Sequence, residues 1–224
     1  MKLISNIFSL VLLLVLFTSC GKDNYDAPQS TLSGTVVYQG QALQLRGTGE
    51  AVRLQLYQDG YEKHDPINVF VGQDGKFAAK LFDGQYKLVT RDGNGPWQNK
   101  RDTMIVDLKG STEVQVEVTP YFTISNASLS VSGTTMNASF NINQVVPSAS
   151  INKVYLLLSK TQFADDVNNL YRKDVSDVTP GAVSLTADLT GNNDVAKATA
   201  LFARVGVLAN GADQAIYSEV IRIR

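Results

Sequence analysis

Residues 113–118 read EVQVEV, and that alternation decides the fold class. Val114, Val116 and Val118 fall on one side of an extended chain, Glu113, Gln115 and Glu117 on the other. A period of two suits a half-buried strand, whereas a helix would scatter the same valines around its circumference. Working outward, residues 52–56 (VRLQL) repeat the pattern and residues 201–207 (LFARVGV) follow it less cleanly. Asp59-Gly60, Asp74-Gly75, Asp83-Gly84 and Asp92-Gly93 punctuate these runs. Asp-Gly suits tight turns because glycine accepts positive φ and aspartate bonds its own backbone. Strands are expected near 32–38, 51–57, 67–71, 76–82, 85–90, 103–108 and 112–118. Short strands at this spacing make residues 31–119 a β-sandwich.

Thr119-Pro120-Tyr121 marks a domain boundary, since Pro120 cannot donate to a ladder and ends the strand before it. Residues 120–224 form a second sandwich, with strands near 122–131, 135–142, 151–159, 182–189, 197–208 and 214–223. One stretch departs from the pattern. Residues 163–171 (FADDVNNLY) place Phe163, Val167, Leu170 and Tyr171 at helical spacing. A short helix or turn is expected there, with Asp165 and Asp166 at its solvated start rather than on a metal.

The amino terminus carries an address. Lys2 precedes the apolar run 10–17 (LVLLLVLF), which ends at Thr18-Ser19-Cys20. This is the layout of an export signal, too short for a durable membrane span. Small residues before a lone cysteine resemble a bacterial lipobox, with Phe17 where leucine is usual. On that reading residues 1–19 are removed and Cys20 is acylated; the alternative is an ordinary signal peptide with an incidental cysteine. An exported chain with one cysteine forms no internal disulfide, so lipidation gives that residue a use. Residues 20–30 (CGKDNYDAPQS) are polar and apolar-poor, a flexible tether after the acylated cysteine. The fold class is therefore all-β, two tandem β-sandwich domains after a lipoprotein signal and short tether.

Composition narrows function. Removing Lys2 with the signal leaves 19 basic side chains, one fewer than the full chain's 20, against 21 acidic ones. No basic run occurs, so nucleic acid is not an expected partner and the membrane is met only through the lipid. His64 is the single histidine and lies in a polar loop, which leaves no cysteine–histidine nucleophile or multi-histidine zinc site. No nucleophile elbow or phosphate-binding glycine loop is present. Asp92-Gly93-Asn94-Gly95 begins like a calcium loop, but Pro96 takes the third ligand position and Trp97 the place that needs glycine. No cofactor, metal or catalytic residue is expected. A glycosidase's paired carboxylates are the one enzymatic alternative that 21 acids cannot exclude.

The loop 91–103 (RDGNGPWQNKRDT) holds the only tryptophan. Trp97 has Asp92, Asn94, Asn99 and Arg101 close in sequence, which is the chemistry of a sugar site: an aromatic face for the ring, polar groups for the hydroxyls. The competing reading is a plug, a largely buried indole with Pro96 beside it and Gly93 and Gly95 turning the chain inward. The residues alone favour the plug and leave the site as the nominated alternative. Asp102-Thr103-Met104 resembles a short Bacteroidetes O-glycan acceptor, with Thr103 as the modified residue.

Several stretches carry a wider resemblance: the lipobox and tether, then TLSGTVVY (31–38), VRLQLYQDGY (52–61), QDGKFAAKLFDGQYKLVTRDGNGPW (73–97) and VTPYF (118–122). Together they resemble a family of Bacteroidetes surface lipoproteins encoded beside SusC/SusD-like nutrient-uptake pairs. Within them, DGKF and LFDGQYKLV resemble the carboxypeptidase regulatory-like (transthyretin-like) sandwich. The second half, ending AIYSEVIRIR, resembles a fibronectin-III/immunoglobulin-type sandwich. That family carries no established catalytic residues. The resemblance implies an outer-membrane lipoprotein facing outward, a non-enzymatic accessory to glycan capture that binds oligosaccharide or polysaccharide beside SusC/SusD-like proteins. The alternative is an interaction subunit packed on such a complex with no small ligand.

Overall fold

The computed structural model describes residues 26–60, 62–100 and 102–224. Cys20 with its signal and most of the tether lie outside the described residues, and so does Arg101.

The first unit holds β1 (Ser30–Tyr38), β2 (Gln41–Ala42), β3 (Arg53–Tyr57), β4 (Ile67–Phe70), β5 (Lys76–Leu81), β6 (Gly84–Thr90), β7 (Met104–Leu108) and β8 (Ser111–Glu117). One four-stranded sheet has β8 along one side of β1 and, along the other, β5 and then β2; the second runs β4-β3-β6-β7. The period-two pattern is what stacks them: Leu54 and Leu56 of β3, Tyr86 and Leu88 of β6 and Val116 of β8 are all buried. Each strand expected from sequence in this half has its counterpart within two residues, and β2 is additional.

The second unit holds β9 (Phe122–Ser132), β10 (Thr135–Gln144), β11 (Ile151–Ser159), β12 (Tyr171–Val175), β13 (Gly181–Asp188), α1 (Asn193–Lys197), β14 (Phe202–Ala209), β15 (Ile216–Tyr217) and β16 (Ile221–Arg222). A three-stranded sheet β13-β10-β9 faces a five-stranded one in which β11 joins β12 to β14, and β15 and β16 follow on the far side of β14. The expected strand 214–223 is split into these two short pieces, and β12 and α1 were not expected.

Residues 163–171 take the non-helical alternative, and they correct the expectation of a solvated start. Asp165 is 1% exposed, not solvated, and its Oδ1 accepts from the backbone N–H groups of Val167 and Asn168 at 3.0 and 2.8 Å. Side-chain capture of local N–H groups competes with the helical ladder, and here it wins. The same carboxylate's Oδ2 accepts from Thr48 of the first unit at 2.6 Å.

That bond belongs to a polar fastening between the units. Arg204 is 0% exposed. Its Nε donates to the Ser218 carbonyl at 2.8 Å, Nη1 to Ala164 at 3.3 Å and Nη2 to Gln73 of the first unit at 3.5 Å. The guanidinium lies 4.6 Å from the centroid of the Tyr217 ring, an arrangement that stabilises a desolvated cation. Burial lowers the guanidinium to about 10, so it remains charged at neutral pH. Tyr217 donates its hydroxyl to Asp166 at 2.7 Å, Asp166 pairs with Arg46 at 3.8 Å, and Tyr217 N–H reaches the Gln44 carbonyl at 3.0 Å. Burial, then the Asp166 charge, pushes the Tyr217 phenol upward. Apolar side chains of both units, Leu43 and Leu45 with Phe122 and Ile216 among them, belong to one continuous buried cluster.

Candidate functional site

The described residues of 91–103 form a strap across one end of the first sandwich, held down by a set of hydrogen bonds. Asn94 is 8% exposed; its Oδ1 accepts from Arg53 N–H at 2.7 Å and its Nδ2 donates to Ala51 at 2.7 Å. Asn99 Oδ1 accepts from Gly93 N–H at 2.9 Å, closing the turn. Trp97 is 2% exposed and bridges Pro120. Gln98 N–H donates to Thr119 at 2.9 Å, and Tyr121 N–H donates to Pro96 at 3.0 Å. Gly95 is required: a Cβ there would lie 2.2 Å from the indole.

The nominated site is thereby corrected. With 2% of its surface exposed, Trp97 offers no ring face to a ligand, and Asn94 has both ends of its amide committed to β3 and the segment before it. Trp97 takes the plug alternative, with one difference: its indole N–H is buried and meets no acceptor among the described residues. Arg101 lies outside them.

Two of the singled-out residues do come together. Asp92 and Thr103, at the two ends of the strap, line a hollow of about 570 Å³ on the outer face of the β4-β3-β6-β7 sheet. Gln55 and Tyr57 come from β3, and Lys87, Val89 and Thr90 from β6; Arg91 completes the lining. Register explains the grouping, because Gln55 stands opposite Val89 and Tyr57 opposite Lys87, all on outward positions. The Tyr57 hydroxyl donates to Gln55 Oε1 at 3.4 Å, and Lys87 Nζ is held 2.7 Å from Asp59. Thr90 Oγ1 donates to the Lys100 carbonyl at 3.1 Å, which fixes the strap against the end of β6. The result is a half-buried aromatic ring among an amide, two cations, a carboxylate and two threonine hydroxyls, held by paired strands and the strap. Asp102 and Thr103 are exposed, and Thr103 also borders a second opening of about 350 Å³ between the two sheets, floored by Leu88, Val116 and Val118.

Sequence reading missed Tyr57, Gln55, Lys87 and Arg91. The signal was present in VRLQLY: the alternation that buries Leu54 and Leu56 turns Arg53, Gln55 and Tyr57 outward. The other acids of interest are occupied. Asp165 and Asp166 serve the polar fastening, and among the described residues no group of three or more histidine, cysteine, aspartate or glutamate side chains has the arrangement to hold a metal ion. No described helix is long and apolar enough to cross a membrane.

Residues 30–119 match the family model described as protein of unknown function (DUF3823), N-terminal domain, and residues 122–222 match the domain of unknown function DUF3823_C. A DUF3823 family protein from Parabacteroides merdae has a similar crystal structure, with 71% sequence identity and a TM-score of 0.86 over 89% of this chain and 100% of that one. A DUF3823 family protein from Bacteroides ovatus shares 29% identity, with a TM-score of 0.77 over 88% of this chain and 98% of that one. A Bacteroides uniformis structure described as a "putative carbohydrate binding protein" shares the fold at 17% identity, with a TM-score of 0.74 over 88% of this chain and 99% of that one. No curated protein matches the sequence.

Proposed function

The chain belongs to the DUF3823 family, and we propose that it is a non-enzymatic, lipid-anchored surface protein that binds carbohydrate as an accessory to outer-membrane nutrient uptake. Cys20 carries the lipid, and the chain faces outward beside SusC/SusD-like proteins. The first unit is read as a transthyretin-like sandwich and the second as an immunoglobulin/fibronectin-III-like one.

The observation that carries the binding role is the hollow around Tyr57. Sugars present an apolar ring face edged by hydroxyls, and such ligands are held by an aromatic side chain with a few fixed polar groups around it. Tyr57, Gln55, Lys87, Arg91 and Asp92 supply that set on a strapped, pre-organised surface. The description of the Bacteroides uniformis protein, which shares the fold, points the same way.

Calorimetric titration of the mature chain carrying Cys20→Ala, with a panel of plant and host polysaccharides, tests this. Tyr57→Ala is expected to weaken polysaccharide binding about tenfold, the ordinary loss for a central aromatic anchor, with the melting temperature little changed. Undiminished binding in Tyr57→Ala would remove the hollow from the mechanism.

The interaction-subunit reading has an observation of its own: Ile105 and Phe82 of the first unit are 51% and 55% exposed. Retention of a SusC/SusD-like complex by the acylated chain in detergent, lost in Ile105→Lys, would favour it.

A further inference from the structure

A second concavity has nothing to do with the strap. It runs between the two units, as two adjoining hollows of about 430 and 320 Å³ that share Ala42, Gln44, Ile124, Ser125 and Tyr217. One wall is the β1–β2 hairpin and the segment after it; the other is the start of β9; the floor includes Leu43, Ile124 and Ile216. Ligand sites favour such seams, because two units bring side chains together that neither could place alone.

Two backbone outliers mark it. Gln39, on the first unit's wall, has φ 50°, and Asn126, on the second unit's wall, has φ 53°; they are two of the four non-glycine residues with positive φ among those described. Gln39 and Gly40 (φ 74°) turn the β1–β2 hairpin, where the first position favours asparagine, aspartate or glycine. Glutamine there strains the backbone and extends an amide by one carbon. The Gln39 N–H is pinned to Glu117 Oε1 at 2.7 Å, which keeps the turn in place. Asn126 sits in a bulge: the β9–β10 register slips between Ser139 and Asn141, so Asn126 and Ala127 together face Phe140. Bulges re-aim side chains, and they recur beside functional sites. The seam itself does not yield, since Tyr217, common to both hollows, is clamped by Arg204 and Asp166.

The lining selects a ligand. Gln39, Gln41, Gln44 and Asn126 present amides that both donate and accept, Tyr38 adds an aromatic ring at one end and Glu219 a carboxylate at the other. No lysine or arginine lines either hollow. An anionic chain would find no counter-charge there. A peptide adding to the free edge of β9 would meet the bulge, which interrupts the row of backbone donors and acceptors a strand requires. We propose that this seam is a second carbohydrate site, taking a linear neutral oligosaccharide that crosses both units. The inference rests on the carbohydrate-binding reading above but not on the Tyr57 hollow.

Cellohexaose, mannohexaose, xylohexaose, hexagalacturonate and pentaglycine are titrated by calorimetry into the mature Cys20→Ala chain and three variants of it. Asn126→Gly removes the amide at a position where glycine is comfortable, and Gln41→Ala trims an exposed side chain, so neither threatens folding. Tyr57→Ala is the third. A neutral hexasaccharide is expected to bind, to lose tenfold or more in affinity in Asn126→Gly and severalfold in Gln41→Ala, and to be unaffected by Tyr57→Ala. Binding that only Tyr57→Ala weakens would overturn the seam and leave the hollow standing. Preference for hexagalacturonate or pentaglycine at the seam would overturn the ligand class. No binding of any saccharide in any form would overturn both sites.

Discussion

Two loops fasten this molecule, and they do so with opposite chemistry. The strap 91–103 fastens the first unit to the boundary by burying an indole, with Gly95 against its face and Pro120 bridged to it. The loop 160–170 fastens the second unit to the first by burying a carboxylate, while Arg204 nearby donates to carbonyls of both units. An apolar plug gains by leaving water, and its failure leaves a cavity. A buried ion gains nothing by leaving water, so its failure leaves unpaired partners. The first kind of contact supplies stability, and the second supplies a specific relative placement.

The comparison is broken most directly at Trp97. Trp97→Ala is expected to cost about 3–5 kcal/mol, the range for a large buried aromatic, read as a lower midpoint in chemical denaturation. Trp97→Phe should cost distinctly less, because it keeps a ring under Gly95 and deletes a buried N–H that meets no acceptor among the described residues. Equal costs for the two would mean that the indole N–H has a partner in solution.

Arg204→Met comes next, at about 1–3 kcal/mol, since carbonyls lose a charged donor while apolar volume is retained. Calorimetry should show one lowered transition rather than two, because the units also share Leu43, Leu45, Phe122 and Ile216 in one buried cluster. Two separated transitions would show that the ion, not the core, couples the units.

The smallest effect lies in alkaline pH. The folded-state phenol of Tyr217 is raised by burial, so above pH ~10 it stays protonated while the unfolded chain ionises. The unfolded state then binds fewer protons, and stability falls as pH rises. Arg204, lowered by burial, acts with the opposite sign in the same range but is present in both proteins compared. The stability of Tyr217→Phe should therefore fall less steeply than the parent's between pH 10 and 11.

The two fastenings also differ in how far they could be read beforehand. That Trp97 is a plug was open to sequence reading, because Gly93, Gly95 and Pro96 lie beside it and describe a chain turning inward. The second fastening was not. Asp165 looked like a solvated helix start from its neighbours, yet it bonds Thr48, 117 positions away, and Arg204 meets the Gln73 carbonyl across 131. The candidate hollow lies between these cases. Asp92 and Thr103 were singled out within the strap, whereas Tyr57 and Lys87 entered only when β3 paired with β6.

What the sequence determined by itself was most of the strand content, the division near Pro120 and the outward face of strands such as 53–57 and 113–118, because period-two burial and turn chemistry act over a few residues. Tertiary structure alone decided that Trp97 is covered, that Asp165 and Arg204 are buried, and that Gln39 and Asn126 line one seam. Those outcomes depend on strand register and on packing between distant segments. Local propensity carries no record of either.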